Sequence, residues 1–230
     1  MCGRYSISTE IKVIEKRFKI DVTNYEPRYN AAPGQLLPII TGENPEGFSF
    51  FYWGMTPKWS KNGQISQKLI NARAETVNAK ASFKQAFARR RCLIPADGFY
   101  EWKAVGKKTK IPHRITLQGA EPFAFAGIWE EFEDEGENMH TFSIITTEAN
   151  SLVADIHDRM PVILHPKDEQ AWLSNDSNEE ALIELLRPYE AEQMVQYSVS
   201  PRVNSVANEG PELIKHTPPA DQHGNYTLFG

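Results

Sequence analysis

The sequence predicts an α+β domain built on a curved, mostly antiparallel β-sheet or barrel-like core with short flanking helices. Three observations predict it. Apolar runs of strand length recur along most of the chain, each bounded by Gly, Pro, Asn or acidic turn signals. Helical periodicity is confined to a few short segments. No internal repeat and no Gly/Ser linker divides the 230 residues, so a single domain over residues 1–215 is expected, followed by a loose, Pro-rich polar tail over 216–230.

Taken in order, TEIKVIEKRFKI places apolar residues at 11, 14 and 18, the spacing of a helix capped by Ser8 or Thr9. QLLPIIT and FSFFYWGM read as strands on either side of the turn GENPEG. SFKQAFARR is a short helix with Phe83 and Phe87 one turn apart and Ser82 as its cap. CLIPA, GFYEWK, HRITL, FAFAGIW and FSIITT are then strands, with turns at AVGKK, QGAE and EDEGEN. NSLVADIH is a helical turn, MPVIL a strand, KDEQAWL and NEEALIELL surface helices, and VQYSVSP a returning strand.

Composition narrows the function. A hydrophobic fraction of 40% supports a substantial core, and no run approaches the ~18 apolar residues of a membrane span. The amino end lacks the layout of a secretory signal, and only Cys2 and Cys92 are present, so a reducing cytoplasm is expected and a disulfide framework is not. Neither cysteine stands at zinc-ligand spacing from a histidine, so no metal and no cofactor are expected. The net charge of −5 argues weakly against a nucleic-acid partner, yet Arg4, Arg28, Arg73, Arg89–Arg91, Arg159 and Arg202 stand beside the distinctive motifs while the acids gather at 130–137 and 175–184. A basic face on an acidic protein is compatible with that distribution, as is a solvated mixture of charges.

A few polar residues interrupt otherwise apolar segments. If LINARAET is extended, Asn71, Arg73 and Glu75 share one side. In DGFYEWK, Glu101 shares a face with Phe99; buried there, it would favour its protonated form, and at a strand end it would be an ordinary exposed acid. His157, ahead of an Asp–Arg pair, is either a proton carrier or a structural histidine. The opening MCGRYS raises a further possibility. Removal of Met1 leaves Cys2 with a free amine and a thiol on neighbouring carbons.

MCGRYS, YNAAPG (29–34), WGMTPKW (53–59), NARAET (71–76), DGFYEW (97–102), IHDRMP (156–161) and the closing VSPRVNSVANEGPELI together resemble the SRAP (SOS response-associated peptidase) family of abasic-site processing proteins. The resemblance spans nearly the whole chain apart from its tail. It implies the SRAP fold, a DNA groove, and covalent capture of abasic sites in single-stranded DNA by a cytoplasmic monomer that associates with the nucleoid when bound. Position by position, the nucleophile falls on Cys2. The amide that places the linked sugar falls on Asn71, the acid of recognition and proton transfer on Glu101, and the histidine of ring opening and imine reaction on His157. Arg4, Asn30, Arg73 and Arg159 fall where the family contacts phosphates. Pro33, Trp53, Trp59 and Trp102 fall near apolar surfaces on which bases can pack, and core packing is expected for at least one of these tryptophans. The chain departs from relatives that carry a bulky apolar wedge after NARAET, having VNAKAS instead.

The terminus suits that chemistry. An α-amine of pKa ~7.8 is about one-third neutral at pH ~7.5, whereas a lysine amine is neutral about once in a thousand. Such an amine attacks an aldehyde to give a reversible imine, and the tethered thiol then closes a five-membered thiazolidine. Self-removal of Met1, weak β-elimination (lyase) activity and cross-link reversal are further expectations. Two other readings stand beside this one: an N-terminal-nucleophile, glutamine amidotransferase-like amidohydrolase, and a non-covalent single-stranded-DNA-binding module.

Overall fold

A computed structural model of the chain describes residues 2–57, 69–106, 109–134, 136–221 and 223–226. Its strands and helices, in chain order, are β1 (Tyr5–Ile7), α1 (Ile11–Phe18), β2 (Arg28–Ala31), β3 (Leu36–Thr41), β4 (Ser49–Trp53), β5 (Asn71–Arg73), α2 (Lys84–Arg89), β6 (Arg91–Ala96) and β7 (Gly98–Ala104). There follow β8 (Lys110–Leu117), β9 (Phe123–Asp134), β10 (Glu137–Glu148), β11 (Arg159–Pro161), β12 (Ile163–Leu164), α3 (Glu169–Leu173), α4 (Glu179–Glu184) and β13 (Met194–Ser198).

Two sheets organise these elements. One runs in the order β13-β8-β7-β1-β2, antiparallel throughout. In the other, β4, β3, β6 and β9 are successive antiparallel neighbours, β4 also pairs in parallel with β10, and β9 pairs with β10. Five strands therefore close on one another as a barrel. Strand β10 carries further strands outside that ring, β5 in parallel and β11 antiparallel.

Barrel closure leaves little room inside. A Cβ on Gly127 of β9 would lie 2.5 Å from Ile94 Cδ1 and 2.8 Å from Cys92 Sγ, so any side chain there would displace its neighbours on β6, with which β9 pairs. One apolar core links the two sheets, drawing Tyr5 from one and Phe125 and Phe142 from the other, with Cys2 just ahead of β1. Tyr5 stands edge-on to Phe125, with ring centroids 5.8 Å apart.

Both expected helix caps are corrected. Ser8 and Thr9 do not cap α1; their backbone and hydroxyl groups bond Asp97 instead. Ser82 does not cap α2, whose first flanking residue is Phe83 with no side-chain cap. Residues 216 and 217, at the start of the expected tail, add to the sheet edge: His216 bridges Val199, and the Thr217 N–H donates to Ser198 O over 3.0 Å. Among the described residues, no helix is long and apolar enough to cross a membrane.

Candidate active site

The site lies at the seam between the sheets. Strand β1 follows directly from Cys2 and pairs with β7, which carries Glu101. On the other side of the seam, β10 holds β5, which begins at Asn71, and β11, which begins two residues after His157. Three distant stretches of sequence thus converge beside residue 2.

Cys2 is fully buried, and its thiol points at Arg4 O over 3.9 Å. Burial pushes that thiol far above the ordinary range, and the negative charge of Glu101 adds to the effect. The Asn71 side-chain amide donates to Cys2 O over 2.8 Å. Its Oδ1 is buried and accepts no hydrogen bond from the described residues, leaving an acceptor next to Cys2. Glu101 is 3% exposed, and burial raises its pKa, with His157 among the groups opposing the shift. The acid is therefore of the desolvated kind.

His157 is half-buried, and its Nδ1 faces two groups at 2.9 Å, the Arg159 N–H and Asp158 Oδ1. One ring nitrogen cannot accept from the first and donate to the second. The Arg159 amide can only donate, while Asp158 is 86% exposed, so Nδ1 is the acceptor and Nε2 carries the proton.

The cations and apolar residues divide more sharply than the sequence suggests. The Arg4 guanidinium donates to Asn30 Oδ1 over 2.7 Å and to Val203 O over 2.6 Å, and it lies 5.9 Å from the centroid of the Trp102 ring. Asn30 is fully buried and donates to Val203 O, Ser205 O and Asn208 O. Its Nδ2 holds the 203–208 loop while its Oδ1 accepts from Arg4. Trp53 is fully buried, stacks 6.2 Å from Phe142 and donates to Ile70 O. Among the described candidate tryptophans it is the one that packs in the core. Trp102 remains half-exposed, fixed by a 2.7 Å bond from its Nε1 to Asn204 Oδ1. Pro33 is half-buried and Arg73 exposed. Trp59 lies outside the described residues. Arg159 is engaged by Glu75 through two nitrogens and donates to Thr146 O over 2.7 Å.

Sequence reasoning did not find the groups that anchor this arrangement. Asp97 and Arg114 form a buried ion pair at 2.8 Å, behind β1. Gly98 makes room for it, since a Cβ there would lie 2.6 Å from Arg114 Nε. An acid directly before a strand glycine is the only sequence trace of this pair. Among the described residues, no group of three or more His, Cys, Asp or Glu could hold a metal ion.

The arrangement therefore places a carboxamide and a buried carboxyl beside Cys2, with an imidazole close to that carboxyl. The sequence model of the family described as SOS response associated peptidase (SRAP) matches residues 1–206. The chain is 46% identical over 222 residues to the abasic site processing protein YoqW of Bacillus subtilis (strain 168), covering 94% of this chain and 99% of that one. It is 31% identical over 227 residues to the abasic site processing protein YedK of Escherichia coli (strain K12), covering 94% and 99%. A crystal structure of a protein from Bacteroides thetaiotaomicron superposes with a TM-score of 0.85 at 29% identity, covering 94% of this chain and 100% of that one.

Proposed function

The chain belongs to the SOS response-associated peptidase family, and from that premise we propose that it captures abasic sites in single-stranded DNA as a thiazolidine on mature Cys2. The observation that carries this reading is the convergence on residue 2 of an amide 2.8 Å from its carbonyl and a buried carboxyl whose charge acts on its thiol.

In the chain as translated, the nitrogen of Cys2 is an amide and cannot attack a carbonyl. Hydrolysis of the Met1–Cys2 peptide bond, in which water takes the methionyl acyl group and methionine departs, liberates an α-amine. That amine is the most nucleophilic nitrogen available near neutral pH. It adds to the ring-opened aldehyde of the abasic sugar to give a carbinolamine. Glu101, whose pKa is raised by burial, gives its proton to the departing hydroxyl, which leaves as water. The Cys2 sulfur then attacks the iminium carbon, and its proton passes to the Glu101 carboxylate. One water is lost, one C–N and one C–S bond form, and the acid ends as it began.

The remaining groups take supporting roles. Asn71 holds the Cys2 carbonyl, and its buried Oδ1 is suited to orient the new amine or a sugar hydroxyl. His157, with its proton on Nε2, serves the sugar oxygen during ring opening. Phosphate contacts fall to Arg73 and Arg159, and stacking to Pro33 and Trp102, in the manner of sequence-independent single-strand sites. Imine formation also makes β-elimination of the 3′ phosphate chemically accessible, and rapid ring closure limits it.

The test is a denaturing gel of mature protein with an aldehyde-bearing abasic oligonucleotide. A heat-stable, retarded band is expected from wild-type protein and none from Cys2→Ala. A stable adduct from the alanine variant would remove Cys2 from the mechanism.

A further inference from the structure

Glu75 is not assigned a role by the capture chemistry, yet it lies beside that site. Its carboxylate meets the Arg159 fork head-on: Nη1 donates to Oε1 over 2.5 Å and Nη2 to Oε2 over 3.0 Å. The second Nη2 hydrogen is committed to Thr146 O, and Nε is buried. The exposures are unequal. The Arg159 side chain is 13% exposed and that of Glu75 is 50% exposed, so the carboxylate is the solvent-facing half of the pair. Exposed Arg73 is close enough to help hold Glu75 ionised, after the direct bond from Arg159.

We propose that Glu75 is a phosphate surrogate: it occupies the Arg159 fork in the free protein and is displaced from it by a phosphodiester of the bound strand. The inference rests on the proposed function, because that reading brings a nucleotide to this place. A sugar linked at Cys2 and served by His157 carries its phosphodiesters directly beside it. Arg159 lies two residues from His157, and its own N–H fixes that ring. Carboxylate and phosphodiester present the same paired oxygens to a guanidinium, and the fork can hold one of them at a time. With both Nη2 hydrogens taken and Nε buried, there is no second bidentate edge for the phosphate to use.

Glu75 therefore costs the protein affinity for DNA in general and keeps Arg159 aligned until a strand arrives. On exchange, the carboxylate is released toward Arg73 and water. No covalent bond changes and no proton moves.

The experiment measures equilibrium binding by fluorescence anisotropy to a single-stranded oligonucleotide carrying a tetrahydrofuran abasic analogue. The analogue has no aldehyde, so covalent capture does not enter. Glu75→Gln is expected to bind roughly two- to fivefold tighter than wild type, on the scale of one partly exposed ion pair. In an Arg159→Gln background the same substitution is expected to change nothing, as a double-mutant cycle requires. Glu75→Ala, checked by thermal melting for an intact fold, should shift binding in the same direction. Weaker binding by Glu75→Gln would make the carboxylate a structural support for Arg159 and overturn the proposal, and unchanged binding would overturn it by placing the phosphates elsewhere. A parallel lane with an aldehyde-bearing oligonucleotide and wild-type protein reports separately on the capture chemistry, so loss of that cross-link is distinguishable from failure of the exchange.

Discussion

Replacing Asp97 by Asn perturbs the anchor of the strand that leads from Cys2. The Asp97 carboxylate takes six bonds. Oδ1 accepts from Ser6 Oγ over 2.6 Å and from Arg114 Nη2 over 2.8 Å. Oδ2 accepts from the Ser8 and Thr9 backbone N–H groups over 2.5 and 2.8 Å and from both of their hydroxyls over 3.0 Å. An asparagine must turn its NH2 toward one of these two sets of donors, leaving buried donors facing one another and Arg114 without a counter-charge. Losing one partner of a buried pair costs about 3–5 kcal/mol, which for a chain of this size lowers Tm by roughly 6–20 °C. Ser8→Ala, which deletes a single 3.0 Å bond, should cost only about 0.5–1.5 kcal/mol.

The acid limb supplies an independent check. Burial raises the Asp97 pKa, but Arg114 and the surrounding donors outweigh it and hold the group below the usual carboxylate range. Its contribution is thus complete above the unfolded-state pKa of about 3.9 and is lost as pH falls through the lower folded value. The stability gap between wild type and Asp97→Asn, read from urea melts, should be constant near neutrality and narrow only at strongly acid pH. A gap below about 1 kcal/mol at neutral pH would refute the reasoning, because six bonds and a buried counter-charge cannot be that cheap to remove.

Three further outcomes are expected. Glu101→Gln should slow cross-link formation by about a hundredfold or more, the range of a lost general acid, in single-turnover gels. Because burial raises the folded pKa of Glu101, wild type loses stability as pH rises above the unfolded-state carboxylate value, until the folded group ionises; the Gln variant should therefore gain on wild type as pH rises over that window in denaturant melts. Asn71→Ala should reduce the cross-linking rate by about tenfold, the worth of one well-placed bond, with little change in Tm. Trp53→Ala should cost about 3–5 kcal/mol by calorimetry and, because the ring packs against Tyr5 with centroids 5.3 Å apart, loosen β1 as well.

Much of this was legible in the sequence, and the exceptions have physical causes. Long apolar runs such as FAFAGIW and FSIITT read as strands because burial on both sides leaves a continuous signal; they are β9 and β10 of the barrel. Strands β1, β2 and β5 escape that logic because each is three or four residues long, too short for any period to register. The expected caps failed for a related reason: Ser8 and Thr9 have the right chemistry for a helix end, but a buried carboxylate 88 and 89 positions away competes for the same hydroxyls. In the site, Cys2, Asn71, Glu101 and His157 could be named from motifs, and the desolvation of Glu101 could be anticipated from its apolar neighbours. The commitments of Arg4, Asn30 and Arg159 could not. Whether an arginine awaits a phosphate or already holds a carbonyl depends on contacts such as Arg4 with Val203, 199 positions apart.

Burial of Cys2 bears on the order of events in the proposed capture. A thiol kept protonated by desolvation is a poor first nucleophile, so it does not compete with the amine for the aldehyde. Iminium formation reverses the local electrostatics by placing a positive charge on the atom next to its target. It does so just as Glu101 has given up a proton and can take one. Both changes favour loss of the thiol proton at the moment a carbon electrophile comes within reach of the tethered sulfur. Desolvation, which silences the cysteine toward other electrophiles, therefore also makes its activation conditional on the amine having reacted. An exposed cysteine at the same terminus would have the same two nucleophiles but no such sequence between them.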